Sequence, residues 1–265
     1  MKKISILLMI GLTVLSGCQE EVQELQLPVN GVIQIQPETC LENASASGTR
    51  AETEANTSLT YTFEAWTCDA TPRLAAREVK EGTASQVQMN IQLIPGKYNF
   101  LFWANQDASC YDSNNLRTVK INQKDYTPGS SRDAFAGVQP NVDWNQNTSL
   151  TIRLKRPLAK LEVLNKTAFP TTGEQVTFTY QNLPTQYDVL TGKTSQPVTL
   201  TKPISKTVAG STLAGEDFLF VPAEHSNVAV GLTVMVGNVS KSLNELKLKT
   251  NYKTKVTASL ITNNL

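Results

Sequence analysis

Val87-Gln88-Met89-Asn90-Ile91-Gln92-Leu93 alternates apolar and polar side chains without a break, and Pro95-Gly96 separates it from Lys97-Tyr98-Asn99-Phe100-Leu101-Phe102-Trp103-Ala104. Successive side chains of a strand point to opposite faces, so alternation of this kind reads as a half-buried strand. Pro-Gly is turn chemistry. Beyond the turn, Tyr98, Phe100 and Phe102 share one face while Leu101 and Trp103 share the other. That strand is predicted to be covered on both sides.

The same period extends in both directions. Leu59, Tyr61, Phe63 and Ala65 alternate with Thr60, Thr62 and Glu64, and further strands are predicted over residues 116–121 and 150–154. Arg156-Pro157 interrupts the pattern, because proline ends a ladder and restricts the residue before it, and a domain boundary is placed there. The alternation restarts in Ala159, Leu161 and Val163, in Val176, Phe178 and Tyr180, in Phe218 and Phe220, in Val228, Val230, Leu232, Val234 and Val236, and in Val256, Ala258 and Leu260. Almost nothing has helical spacing. The expectation is an all-β chain of two β-sandwich domains in tandem, residues 59–155 and 156–265.

Composition narrows the function. The chain has 265 residues, 40% of them hydrophobic and 7% aromatic, enough for a buried core. With 24 basic against 23 acidic side chains, no long-range field draws it to nucleic acid. His225 is the single histidine, so clustered imidazole metal sites are excluded and any Ser-His-acid relay would need that residue. It follows Pro222-Ala223-Glu224 with no nucleophile elbow nearby and reads as a surface turn. Asp107 and Asp112 match no calcium-loop spacing. No catalytic residue, metal or cofactor is assigned, and the protein is expected not to be an enzyme.

At the N-terminus, Lys2 and Lys3 precede an apolar run over residues 4–15, too short for a permanent membrane span. Leu15-Ser16-Gly17-Cys18 resembles the lipobox of bacterial lipoproteins, which implies removal of residues 1–17 by cleavage between Gly17 and Cys18 and acylation of Cys18. Each buried methylene contributes about 0.8 kcal/mol, so two or three acyl chains make a durable anchor. Gln19-Glu20-Glu21 resembles the acidic tether of surface-exposed lipoproteins in the Bacteroidetes lineage, implying a lipid-anchored place on the outer membrane, facing outward. Five Asn-x-Ser/Thr sequons, at Asn43, Asn56, Asn147, Asn165 and Asn238, carry no role on a bacterial lipoprotein.

Residues 18–58 form the lipidated N-terminal segment. Asn30-Gly31 is a hairpin signal, but a two-residue turn would set Leu27 opposite Gln34 and mix faces, so one strand ending near Pro37 is predicted. Residues 41–58, rich in Ser, Thr, Asn, Ala and Glu, are expected to be a mobile connection containing Arg50. Beyond Cys18 three cysteines remain. A Cys68–Cys110 disulfide would close a loop of roughly forty residues and stabilise by about 4 kcal/mol, whereas the rival Cys40–Cys68 pairing would tether the N-terminal strand. Trp66 and Trp103, with Tyr61, lie in strands and read as core; Trp144, in the polar stretch 141–148, is the candidate glycan contact.

Leu154-Lys155-Arg156-Pro157-Leu158-Ala159-Lys160-Leu161-Glu162-Val163 resembles the interdomain segment of the fimbrillin-type lipoproteins of Bacteroidales. Asp217-Phe218-Leu219-Phe220-Val221-Pro222-Ala223 and the closing residues 251–260 are similar to that family's later strands. Residues 95–104 and Arg132-Asp133-Ala134-Phe135-Ala136-Gly137 resemble a related group of Bacteroides lipoproteins. The resemblance implies transthyretin-like sandwiches and, in polymerising members, proteolytic removal of an N-terminal strand followed by strand donation from the next subunit. Carried onto this chain, the removable strand lies within residues 22–37 and the scissile bond joins Arg50 to Ala51. The implied partners are other fimbrial subunits or copies of the chain, the outer membrane through the lipid, and host or bacterial surface glycans. The length suits an anchor or accessory subunit better than a shaft subunit. The second reading is a monomeric carbohydrate-binding surface lipoprotein.

Overall fold

The computed structural model describes residues 26–43, 50–51, 55–126, 129–145, 148–222 and 229–261. The leader, Gly17, Cys18, His225 and the Asn147 sequon lie outside the described residues. In chain order the strands are β1 (Val29–Pro37), β2 (Cys40–Asn43), β3 (Arg50–Ala51), β4 (Ser58–Thr67), β5 (Leu74–Thr83), β6 (Val87–Leu93), β7 (Gly96–Asn105), β8 (Tyr111–Asp112) and β9 (Val119–Ile121). They continue as β10 (Ala134–Trp144), β11 (Ser149–Leu154), β12 (Leu158–Asn165), β13 (Gln175–Asp188), β14 (Lys193–Lys206), β15 (Leu213–Phe220), β16 (Gly231–Val236), β17 (Val239–Leu243) and β18 (Tyr252–Ala258). The helices among them are single 3-10 turns, and no helix among the described residues is long and apolar enough to cross a membrane.

A three-stranded sheet, β11-β1-β6, faces a four-stranded sheet, β10-β7-β4-β5, across a core that includes Ile33, Ile35, Phe63, Met89, Phe100, Phe102 and Trp144. The alternation of residues 87–93 appears as β6, with Val87, Met89, Ile91 and Leu93 buried and the glutamines and asparagine between them exposed. β7 is central in its sheet. Its Phe100 and Phe102 enter this core, and its Leu101 and Trp103 enter a different one. This is the two-sided burial that the sequence implied.

A second sandwich joins β15-β12-β18-β2-β3 to β17-β16-β13-β9-β8, with β14 paired to β13, over Leu161, Phe178, Tyr180, Leu219 and Leu232. Between the two cores lies a third cluster of Leu101, Trp103, Cys110, Tyr111, Leu158, Phe218 and Phe220. The division at residue 156 therefore does not describe the sheets. β8 and β9 come from the first half of the chain, yet Lys120 and Val119 pair with Gln186 and Tyr187 of β13. The start of the expected loose connection is corrected, since Cys40–Asn43 is a strand parallel to β18 and Leu41 is buried; residues 44–49 and 52–54 lie outside the described residues.

Candidate functional site

The segment that carries functional interest is β1. Its Gly31, Ile33 and Ile35 face inward, and it runs antiparallel to β6, Ile33 opposite Met89 and Ile35 opposite Val87. On its other side it runs parallel to β11, Ile33 opposite Leu150 and Ile35 opposite Ile152. It is thus a middle strand, bonded on both edges, and burial of its two isoleucines stabilises by about 3–6 kcal/mol. The pairing continues past its end, where the Glu38 amide donates to the Leu154 carbonyl at 2.8 Å.

Trp144 clamps the start of this strand. The indole is fully buried at the end of β10, lies edge-on to Phe100 at 5.5 Å, and its Nε1 donates to the Val29 carbonyl at 3.3 Å. Its ring fills the space beside Gly31, where a Cβ would lie 2.2 Å from Cη2. The sequence expectation of an exposed stacking residue is corrected. β10 extends to Trp144 through a register shift between Gln139 and Val142, where Asn141 adopts φ +54°, and this turns the indole inward.

Arg156 holds the other end. Its Nε and Nη2 donate to the two carboxylate oxygens of Asp133 at 2.6 and 2.8 Å, a bidentate geometry. The same guanidinium donates to the carbonyls of Thr39 at 3.2 Å and Cys40 at 3.4 Å, and to Asn251 Oδ1 at 2.6 Å. It is fully buried, with Phe135 at 4.9 Å. One side chain thus ties the end of β10's approach, the β1–β2 junction and the turn before β18. Sequence reading takes Arg156-Pro157 as a break only; the signal available is that Arg156 falls in phase with the inward Ile152 and Leu154, while Arg153 and Lys155 alternate outward, and charge at an inward position needs a built set of acceptors.

Nearby is a second buried ion pair. Arg132 Nε lies 3.0 Å from Asp217 Oδ1, both side chains fully buried, and the guanidinium stacks 3.9 Å from the Tyr126 ring. Tyr126 and Tyr180 donate their hydroxyls to Asp217 Oδ2, the latter at 2.8 Å, and the Phe218 amide donates to Oδ1 at 2.9 Å. Burial pushes the Asp217 carboxyl above the usual carboxylate range, partly offset by Arg132. The pair sits inside protein, without access to a substrate.

Neither proposed disulfide is formed. Cys40, Cys68 and Cys110 are free: Cys68 is exposed with Sγ 3.7 Å from Asn141 Oδ1, and Cys110 is buried with Sγ 3.9 Å from the Ser131 carbonyl. Cys110 points into the cluster between the sandwiches, whereas Cys68 leaves β4 on the outside. The Arg50–Ala51 bond falls in β3, which pairs with β2 through Leu41 opposite Arg50 and Cys40 opposite Ala51. Asp107 binds the Ser109 amide and hydroxyl, and Asp112 the Asn114 amide, so both carboxylates serve local turns. Among the described residues no group of three or more His, Cys, Asp or Glu side chains is placed to hold a metal.

A candidate polysaccharide-binding protein (DUF1812) from Bacteroides thetaiotaomicron superposes with a TM-score of 0.58 at 11% identity, covering 86% of this chain and 90% of that one. A candidate adhesin from Bacteroides ovatus gives 0.53 at 8% identity, with 87% and 86% covered. The fimbrial anchor protein Mfa2 from Porphyromonas gingivalis gives 0.50 at 16% identity, with 78% of each chain covered. No curated protein matches the chain. The family described as "Family of unknown function (DUF6562)" matches residues 20–265. The chain therefore belongs to the DUF6562 family, and it shares its fold with these Bacteroides and Porphyromonas proteins.

Proposed function

We propose that the protein is a non-enzymatic, surface-exposed lipoprotein with a fimbrial or adhesin-like role, acting as an anchor or accessory subunit that is tethered through Cys18 and keeps β1 in its groove. The observation that carries this reading is the double attachment of the N-terminal segment. β1 completes the first sandwich, β2 extends a sheet of the second, and Arg156 binds the carbonyls between them. Cleavage at Arg50–Ala51 would separate the lipid from the folded body and remove strands from both sandwiches, so an anchor is served by keeping the segment. The fold shared with Mfa2, a fimbrial anchor protein, agrees with this role.

The same geometry states what assembly by strand exchange would require. A departing β1 leaves unpaired backbone on β6 and β11 above an apolar trough, which an extended segment of another subunit can fill. Mass-spectrometric determination of the N-terminus of the protein recovered from cells tests the choice. A lipidated Cys18 on a species that runs as a monomer without boiling is the expected result. A start at Ala51, with a ladder of heat-labile oligomers, would replace the anchor with a polymerising subunit.

A further inference from the structure

A cleft of about 710 Å³ opens at one end of the second sandwich, lined among others by Tyr187, Lys193, Thr194, Pro222, Leu248 and Lys249. That volume lies in the range of small-molecule sites. Its walls are set by fixed turns. On one side the β13–β14 turn is closed by the Gly192 amide donating to the Asp188 carbonyl at 2.8 Å, with Gly192 at φ +68°. On the other, the Lys249–Tyr252 turn is closed at 3.1 Å, and its Asn251, at φ +63°, is gripped by Arg156 and by the Leu158 carbonyl. The ligands' surroundings are therefore set before anything binds.

The chemistry of the cleft is one-sided. Lys193 and Lys249 are exposed and make no ion pair among the described residues, and Lys249 Nζ rests 3.7 Å from the Tyr252 ring. The one carboxylate set against these lysines in the ladder, Asp188 opposite Lys193, does not line the cleft and accepts from the Leu190 amide at 2.8 Å and the Thr191 amide at 3.4 Å, so the lining itself carries positive charge only. Tyr187 stacks on Phe220 with ring centroids 5.6 Å apart, and its hydroxyl has no hydrogen-bond partner among the described residues. That hydroxyl stands beside the turn, where a Cβ on Gly192 would meet it at 3.9 Å. Leu248 and Pro222 add apolar wall.

We propose that this cleft binds an acidic oligosaccharide, with Lys193 and Lys249 on its carboxylate or sulfate groups and the Tyr187 hydroxyl on a ring hydroxyl. The cleft is far larger than an inorganic anion. Its lining comes mainly from turns and strand ends: the edge strand β14, bonded only to β13, contributes no more than Lys193 and Thr194, too short a length of free edge to read an extended peptide by strand pairing. Nucleic acid is disfavoured by the near-zero charge of the chain. The inference deepens the adhesin-like reading and is independent of whether β1 is retained.

The test is calorimetric titration of the full-length chain at low and at physiological salt with four probes. These are a tetramer of uronic acid, a neutral hexose tetramer, an acidic hexapeptide and inorganic sulfate. Binding of the uronate tetramer alone is expected, weakened at least tenfold in Lys193→Ala/Lys249→Ala and severalfold in Tyr187→Phe, with unchanged unfolding midpoints for the exposed lysine variants. Equal binding of the neutral tetramer, tighter binding of the peptide or of sulfate, no binding of any probe, or an unaffected lysine double variant would each overturn the proposal. None of these outcomes depends on the N-terminus found on cells, so the anchor reading and this site can fail separately.

Discussion

The indole of Trp144 occupies the volume that any side chain at Gly31 would need: a Cβ there would lie 2.2 Å from Cη2 and 2.5 Å from Cζ2. The pair joins the last residue of β10 to the third of β1, so the start of the N-terminal strand is accepted only where its backbone is bare. Gly31→Ala is expected to cost about 1–3 kcal/mol through overpacking, and Trp144→Ala about 3–5 kcal/mol through the cavity it leaves. Because the two sites touch, Gly31→Ala/Trp144→Ala should cost clearly less than the sum. Urea unfolding of the four proteins measures this; strict additivity would mean that the two residues do not meet.

Arg156 is expected to be the most sensitive charged residue of the N-terminal attachment. Arg156→Met leaves Asp133 in a buried position without its bidentate partner and the Thr39 and Cys40 carbonyls without their donors, at a cost of about 3–5 kcal/mol. Arg156→Lys should restore little, since one ammonium cannot span acceptors on both sides of the guanidinium plane. Hydrogen exchange should rise selectively in β1 and β2 and much less in β16. Uniform acceleration across the chain would show a general loss of stability and no specific tie.

Thiol chemistry separates the cysteines. Burial pushes the Cys110 thiol up to about 11, while Cys40 and Cys68 are exposed. Iodoacetamide at pH 8 should alkylate Cys40 and Cys68 in the native protein and reach Cys110 only after denaturation. Protection of both Cys68 and Cys110 that is lifted by reductant would instead reveal the disulfide that this structure lacks.

The buried tyrosines set an alkaline limit on stability. Tyr187 titrates up at about 12 rather than 10.0 because of burial and, to a lesser degree, Asp188; Tyr126 and Tyr180 are raised further by burial and Asp217. Between pH 10 and 12 the unfolded chain has lost phenolic protons that the native one keeps, so stability falls as pH rises. The contribution of Tyr187 is present below pH 10 and lost by about pH 12, on the order of 2–3 kcal/mol. Tyr187→Phe should flatten the decline of unfolding free energy over that window. An unchanged slope would place the Tyr187 ring in solvent.

Much of the architecture was legible because period two leaves a strong local trace. Alternating side chains alone mark β4, β6, β7, β11 and β12. The strands that were missed have weaker patterns. β5 is an exposed edge strand carrying Arg77, Glu78, Lys80 and Glu81, β14 is largely exposed with Pro197 and Pro203 within it, and β10 is broken by Gly137, Pro140 and its register shift. Polar edges satisfy the backbone on one side only and need no apolar face to exist.

From its residues alone this protein declared an all-β fold, a strand ending at Pro37 and a chain without the side chains for imidazole-based metal chemistry, since each of these follows from local periodicity or from counting. Tertiary structure decided what the residues touch. It placed Trp144 against Gly31 and not in solvent, kept Cys68 and Cys110 apart, and set Arg156 at the meeting of three distant segments. Those outcomes depend on contacts between residues 23 to 117 positions apart, and such contacts are selected by the summed packing of whole sheets, which no local window of sequence contains.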